Sequence, residues 1–240
     1  MNVDRTAVVI GGTKGIGKAI AVELRSQGFK LAIVSRNRPN YQLPERTRHF
    51  QADVVDIGSL QEVVDQIDNF LGPIDLWINC AGYGRTLTFQ NQDQWDQWDE
   101  ILKVNLIGTI NGCRVAWPLL RKPGGTVINI ASITGFMAPP SHSAYSVAKA
   151  GVIALTRSLG VDWAVDGLRV CAIAPGPVDT EGFRSAGGDP QVRAKKIPLR
   201  RLVGEVEIAK ACVFLGTEAV SQTGNVMIID GGSLAAGCYI

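Results

Sequence analysis

The sequence predicts a single doubly wound α/β domain spanning residues 1–240, its mostly parallel sheet of about seven strands covered by helices on both faces. Three observations predict it. Short β-branched runs, apolar throughout, alternate with longer segments of helical spacing. Strands apolar at every position are buried on both faces, as in parallel sheets joined by helical crossovers. A glycine cluster follows the first of these runs, and no linker, internal repeat or low-complexity segment divides the chain.

TAVVI (6–10) reads as the first buried strand, and Ile16 to Ser26 follows with helical spacing. LAIVS (31–35) is the second strand. A polar stretch with two prolines leads to HFQADV (49–54), read as the third. SLQEVVDQIDNFL (59–71) is an amphipathic helix, for which Ser59 is the expected cap and Glu62 completes a capping box. DLWINCAG (75–82), TVINIAS (126–132), LRVCAIAP (168–175) and NVMIIDGG (225–232) supply the remaining strands.

Bulk properties exclude several classes of function. With 24 basic and 22 acidic residues, the net charge of +2 argues against a nucleic-acid or membrane partner. The loose run Arg193, Lys195, Lys196, Arg200, Arg201 is either a solvated face or an anion contact. Five scattered cysteines and two histidines show no ligand spacing, so no metal is expected, and reduced thiols in a cytoplasmic protein are. The first residues, MNVDRTAVVIGG, lack a secretory core, and no run of eighteen apolar residues occurs.

GGTKGIG (11–17) stands between a strand and a helix. Such a turn brings backbone N–H groups and a helix N-terminus up to a pyrophosphate. The alternative is a glycine turn without a ligand. The second strand ends in Ser35 and Arg36, where many dinucleotide-binding strands end in an acid that bonds the ribose 2′-hydroxyl. A guanidinium there suits a 2′-phosphate instead, and Lys14 in the turn adds a second positive charge. Exposed surface cations are the other reading of Arg36 and Lys14.

AYSVAKAG (144–151) opens a helix of small residues, with Tyr145 and Lys149 four apart on one face. A free phenol has a pKa of about 10. Acid–base work near neutrality needs it lowered by roughly two to three units, which a neighbouring ammonium can help supply. Ser132 ends an apolar strand thirteen residues earlier, where its hydroxyl can donate to a carbonyl oxygen. Asn105, in VNLIG, can anchor a water for a proton relay. His142 reads as a loop residue at a pocket rim or a substrate contact, and QWDQW (94–98) as a packing segment.

With these pieces in place, the chain resembles the short-chain dehydrogenase/reductases over its whole length. GGTKGIG, ADV, NCAG, VNLIG, NIAS, AYSVAK, APGPVDT and IIDGG carry the resemblance, in the right order. The chain departs from the family at Ile10, where threonine is frequent, and at Cys80, where N-N-A-G is usual.

The resemblance implies a Rossmann-type fold and assigns roles. Tyr145 is the general acid/base, and Lys149 lowers its pKa and bonds the nicotinamide ribose. Ser132 polarises the carbonyl and Asn105 supports the relay. Gly11, Thr13, Lys14, Gly15, Ile16 and Gly17 hold the cofactor, with Ser35 and Arg36 at its 2′-phosphate. Asp53 and Val54 contact the adenine, and Asn79, Ala81 and Gly82 line the crevice. Pro175, Gly176, Val178 and Thr180 border the nicotinamide amide and phosphate.

The function expected is NADPH-dependent reduction of a ketone or 3-oxoacyl group, closest in look to the 3-oxoacyl-(acyl-carrier-protein) reductases. A reductase or dehydrogenase of a small cyclic alcohol or ketone is the alternative. A non-catalytic NADP-sensing protein is a rival of another class. Residues 181–199 are expected to form a substrate lid made mobile by two glycines. If the substrate rides on an acyl carrier protein, Arg121, Lys122 and Arg184 are its expected cationic contacts. The resemblance also implies a homotetramer that buries the apolar tail from Ser233 to Ile240.

Overall fold

The structure, a computed structural model, describes residues 5–185 and 188–237. Among these residues are seven strands: β1 (Thr6–Ile10), β2 (Lys30–Ser35), β3 (Thr47–Gln51), β4 (Leu76–Asn79), β5 (Thr126–Ile130), β6 (Arg169–Pro175) and β7 (Val226–Ile229). They form one sheet in the order β3-β2-β1-β4-β5-β6-β7, and each pairing is parallel. Chain order reverses between β1 and β4. That places a crevice outside the carboxyl ends of these two strands, where doubly wound sheets bind their ligands.

Successive side chains of a strand leave by opposite faces, so each strand feeds two cores. On one face, Val9, Leu31, Ile78, Ile128 and Ile173 pack on α1 (Gly15–Ser26) and on the last helix, α8 (Glu205–Thr217). On the other face, Val8, Val34, Trp77, Val127 and Val170 meet three helices. These are α2 (Ile57–Leu71), α4 (Gly108–Ala116) and α5 (Ser143–Asp162). α3 (Trp95–Leu102) runs into α4 through a single π-helical turn, Lys103–Ile107. Two short helices, α6 (Glu181–Ser185) and α7 (Pro190–Ala194), occupy the expected lid. Gly187 lies outside the described residues, and Gly188 is packed against Phe183, where a Cβ would stand 2.5 Å from the ring.

Two expected boundaries move, each for a local reason. α2 starts at Ile57, because Asp56 caps it by accepting from the Gly58 N–H at 2.9 Å. Ser59 is therefore inside the helix, and its hydroxyl accepts from the Asp53 N–H at 3.1 Å. β3 covers Thr47–Gln51, so Asp53 lies in the loop that follows the strand.

Of the five cysteines, Cys80, Cys113, Cys171 and Cys212 are free thiols, and Cys238 lies outside the described residues. No helix among the described residues is long and apolar enough to cross a membrane.

Candidate active site

The turn after β1 is built for close approach. Gly17 has no room for a side chain, since a Cβ there would stand 2.1 Å from the Gly11 carbonyl oxygen. This packs the first turn of α1 onto the strand end and leaves its N–H groups facing the crevice. Lys14 is the N-cap residue of α1 and is exposed. Ser35 and Arg36 lie at the end of β2, beside this turn in the same crevice edge, and Arg36 is exposed.

Asp53 is set by two bonds. Its backbone N–H goes to Ser59 Oγ, and its Oδ1 accepts from the Val55 N–H at 3.1 Å. Val54 is buried, and its carbonyl accepts from Asn111 Nδ2 at 3.0 Å.

Asn79 ends β4, and its side chain is buried. It turns into the core beneath the sheet. There it accepts from Trp77 Nε1 at 3.0 Å and donates to Asn129 Oδ1 at 2.9 Å. Asn129 in turn donates to Thr156 Oγ1 on α5 at 3.0 Å. This network ties β4, β5 and α5 together, so Asn79 supports the site from behind. Nothing in the N-C-A-G string distinguishes an inward from an outward asparagine; the neighbouring strand decides it.

The four expected catalytic residues converge at the carboxyl edge. Ser132 follows β5 and is buried, with the Thr134 N–H at 3.2 Å and the Thr134 hydroxyl at 3.0 Å from its oxygen. Both contacts arrive at the serine oxygen, which leaves its own proton available to donate. Tyr145 and Lys149 lie one turn apart on α5, the ammonium 5.5 Å from the phenol ring centre. Lys149 is 4% exposed and donates to the Ile130 carbonyl at 2.8 Å. Burial pulls its pKa down to about 8, and the nearby Cys80 opposes that. The Cys80 thiol is pushed up to about 12 by burial, against the pull of Lys149.

Asn105 sits in the π-helical turn. Its Nδ2 donates to the Ile101 carbonyl at 3.0 Å and to the Tyr83 carbonyl at 2.9 Å. Its Oδ1 is buried with no partner among the described residues. A Cβ built on Gly82 would lie 2.5 Å from that Oδ1 and 3.4 Å from Lys149 Nζ, so the two polar atoms face one small space. An unpartnered buried acceptor beside an ammonium is a place for a water. The π turn gave no signal in the amino-acid pattern, although such turns gather at functional sites.

Other expected residues take supporting positions. Pro175 and Val178 are buried, and Thr180 Oγ1 caps α6 by accepting from the Phe183 N–H at 3.0 Å. Arg184 on α6 forms a two-bonded ion pair with Asp179, at 2.8 and 2.7 Å. His142 precedes α5 and its Nδ1 lies 2.9 Å from the Pro140 carbonyl. Trp98 donates to Ser143 Oγ at 3.0 Å, two residues before Tyr145, so the tryptophan segment braces the start of α5.

Arg121 lies far from the crevice. It pairs with Asp75, the residue before β4, at 2.5 Å. In a parallel sheet that is the amino edge, opposite the site. Lys122 lies beside it, 3.6 Å over the Trp117 ring.

A glycine cradle without room for a Cβ and an orphaned acceptor beside a buried ammonium fit a nicotinamide dinucleotide. Comparison with known proteins agrees. The family pattern described as enoyl-(acyl carrier protein) reductase matches residues 11–233. A 3-oxoacyl-(acyl-carrier-protein) reductase of Rattus norvegicus is 32% identical, over 95% of this chain and 98% of its own length. One of Chlamydia trachomatis serovar D is 34% identical over 96% and 97%. The ligand-free aldohexose dehydrogenase of Thermoplasma acidophilum superposes with a TM-score of 0.90 at 29% identity, covering 97% of this chain and 94% of that one.

Proposed function

Because the chain belongs to the short-chain dehydrogenase/reductase family of oxidoreductases, which use a nicotinamide cofactor, we propose that it is an NADPH-dependent reductase of a ketone or 3-oxoacyl group. The observation that carries this reading is the meeting of Ser132, Tyr145, Lys149 and the orphaned Asn105 Oδ1 at the carboxyl edge of β4 and β5. A protein that only sensed the cofactor would have no use for all four.

When bound, the nicotinamide supplies the hydride. The chain's own residues handle the oxygen and the proton. Ser132 donates its uncommitted proton in a hydrogen bond to the substrate carbonyl oxygen. Tyr145 gives its phenolic proton to the same oxygen as charge develops there. Lys149, held by Ile130, keeps positive charge near the phenolate that remains. A water accepted by Asn105 Oδ1 would return the proton from solvent.

NADPH is favoured over NADH by the absence of an acid at the end of β2 and by the cations Arg36 and Lys14. Within the carbonyl class, the likeness to 3-oxoacyl-(acyl-carrier-protein) reductases favours a 3-oxoacyl thioester. A small cyclic alcohol or ketone is the second reading, favoured by the likeness to the aldohexose dehydrogenase. Assembly as a homotetramer is supported by the apolar outer face of α5 and the turn after it, where Val147 is 50%, Val161 75% and Val165 89% exposed.

The test is NADPH oxidation with a panel of 3-oxoacyl thioesters, cyclic ketones and quinones. Turnover of a 3-oxoacyl thioester alone supports the first reading, and of a cyclic ketone alone the second. Tight NADPH binding with no turnover on any carbonyl would leave the sensor.

A further inference from the structure

Behind Ser35 and Arg36 stands a histidine that the mechanism above does not use. His49 is on β3, half-buried, and faces the end of β2. Its Nε2 lies 2.9 Å from Ser35 Oγ, and that hydroxyl donates to the Asn37 carbonyl at 2.8 Å. A serine has one hydroxyl proton, and here it goes to Asn37. The imidazole must therefore donate in the other contact, through Nε2–H. This chain of bonds holds the first turn of the loop that carries Arg36 and Arg38. The same loop is held further on, where the Tyr41 hydroxyl reaches the Gly12 carbonyl at 3.4 Å and Lys18 lies 4.5 Å over its ring.

Loop and strand border an open pocket of about 490 Å3, lined by Arg38, Tyr41, Arg48, His49 and Gln51 among others. Among the described residues, no carboxylate lines it. The groups around His49 are the neutral Ser35 from β2, Arg38 from the loop, and Arg48 on its own strand. The Arg48 guanidinium is 5.2 Å over Phe50, and Lys18 of α1 meets Tyr41. Burial pushes the His49 pKa below its ordinary value; a backbone contact from Ser35 opposes this and Arg38 adds to it.

We propose that His49 is a specificity-determining residue: occupation of the subsite at Ser35 and Arg36 by a 2′-phosphate is coupled to protonation of His49, so the preference for NADPH over NADH strengthens as pH falls. The proposal rests on the NADPH reading above. Since Nε2–H already serves Ser35, the added proton goes to Nδ1 and the bond chain survives it. A phosphate favours an imidazolium nearby, and by linkage the imidazolium favours the phosphate by the same factor. One unit of displacement in the histidine corresponds to about tenfold in affinity. The phosphate's own protonation, with a second pKa near about 6, acts in the opposite direction. The contribution of His49 is therefore the difference between wild type and His49→Gln, which keeps an N–H to offer Ser35.

The chain has two histidines, His49 and His142, so their imidazole proton resonances are separable, and His49→Gln assigns them. The wild type is titrated by NMR alone, with saturating NADPH and with saturating NADH. The His49 midpoint is expected to rise by about one unit or more with NADPH and to stay put with NADH. In parallel, the NADH-to-NADPH ratio of Kd values is expected to grow several-fold (~3–6-fold) more in wild type than in the variant between about pH 8 and about pH 6. A midpoint unmoved by NADPH, or equal pH dependence in the two proteins, overturns the proposal and leaves the NADPH reading standing. Equal wild-type affinity for the two cofactors at every pH overturns that reading, and the proposal with it.

Discussion

Lys149 and Ile130 are joined by a 2.8 Å hydrogen bond from the buried ammonium to the carbonyl of the last residue of β5. The bond locks α5 to the strand that presents Ser132 two residues later. Hydroxyl, phenol and ammonium are thereby held to one another by the scaffold itself, before any ligand arrives.

Tyr145→Phe keeps the ring and removes the proton. Turnover on a good ketone is expected to fall by about 10²–10⁴-fold. NADPH affinity, read by fluorescence or calorimetry, should stay within a few-fold of wild type. Near-normal turnover would rule out Tyr145 as the general acid.

Lys149 carries a pH signature because burial lowers its pKa to about 8. The free enzyme loses the ammonium as pH rises through that value, so kcat/KM for carbonyl reduction should fall on the alkaline side. Stability moves the other way. Between about 8 in the folded chain and about 10.4 in the unfolded chain, the unfolded state holds the extra proton. Wild type should therefore gain stability relative to Lys149→Met as pH rises across that window, and the gain should be absent below it. Parallel denaturation curves for the two proteins from pH 7 to 10 would contradict the assignment.

Asn105→Ala removes the orphaned Oδ1 and strips the donor from the Ile101 and Tyr83 carbonyls. Unfolding free energy should drop by about 1–3 kcal/mol, the usual cost of leaving buried polar groups unsatisfied. A fall in kcat larger than the fall in cofactor affinity is also expected. An unchanged kcat would remove Asn105 from the proton relay.

Arg36→Asp reverses the charge where a 2′-phosphate would sit. NADPH should weaken by at least about tenfold, as befits loss of a charge-assisted pair, and NADH should improve. Calorimetry with both dinucleotides reads this directly, and NADPH and NADH affinities unchanged from wild type would refute it.

Carrier recognition, if present, cannot use Arg121 at the site mouth, because Asp75 holds it at the amino edge of the sheet. Arg184, on α6 at the carboxyl edge, remains the candidate, paired with Asp179. Arg184→Glu should depress reduction of a carrier-bound 3-oxoacyl group more than that of a free thioester analogue, and low salt should widen the gap. Arg121→Glu should leave the ratio of the two rates unchanged. Equal sensitivity of both substrates to Arg184→Glu would point to a small free carbonyl compound.

Much of this was legible in the amino-acid order, and the reason is locality. A parallel sheet buries both faces, so TAVVI, TVINI and RVCAIAP declare themselves by being apolar at every position. The glycine turn and the Tyr145–Lys149 spacing are also short-range features, set by one strand end and by one turn of one helix. What needed the tertiary structure were contacts between segments far apart in the chain. Asn79 faces the core because Asn129 and Trp77 are there to satisfy it. Asn105 reaches the site because a π turn rotates it toward Tyr83, 22 residues earlier. Arg121 is withdrawn by Asp75, 46 residues away, and His49 is brought to Ser35 only by the pairing of β3 with β2. A buried polar side chain points wherever its hydrogen bonds can be met, and the partners that meet them are chosen by the sheet, not by its neighbours in the chain.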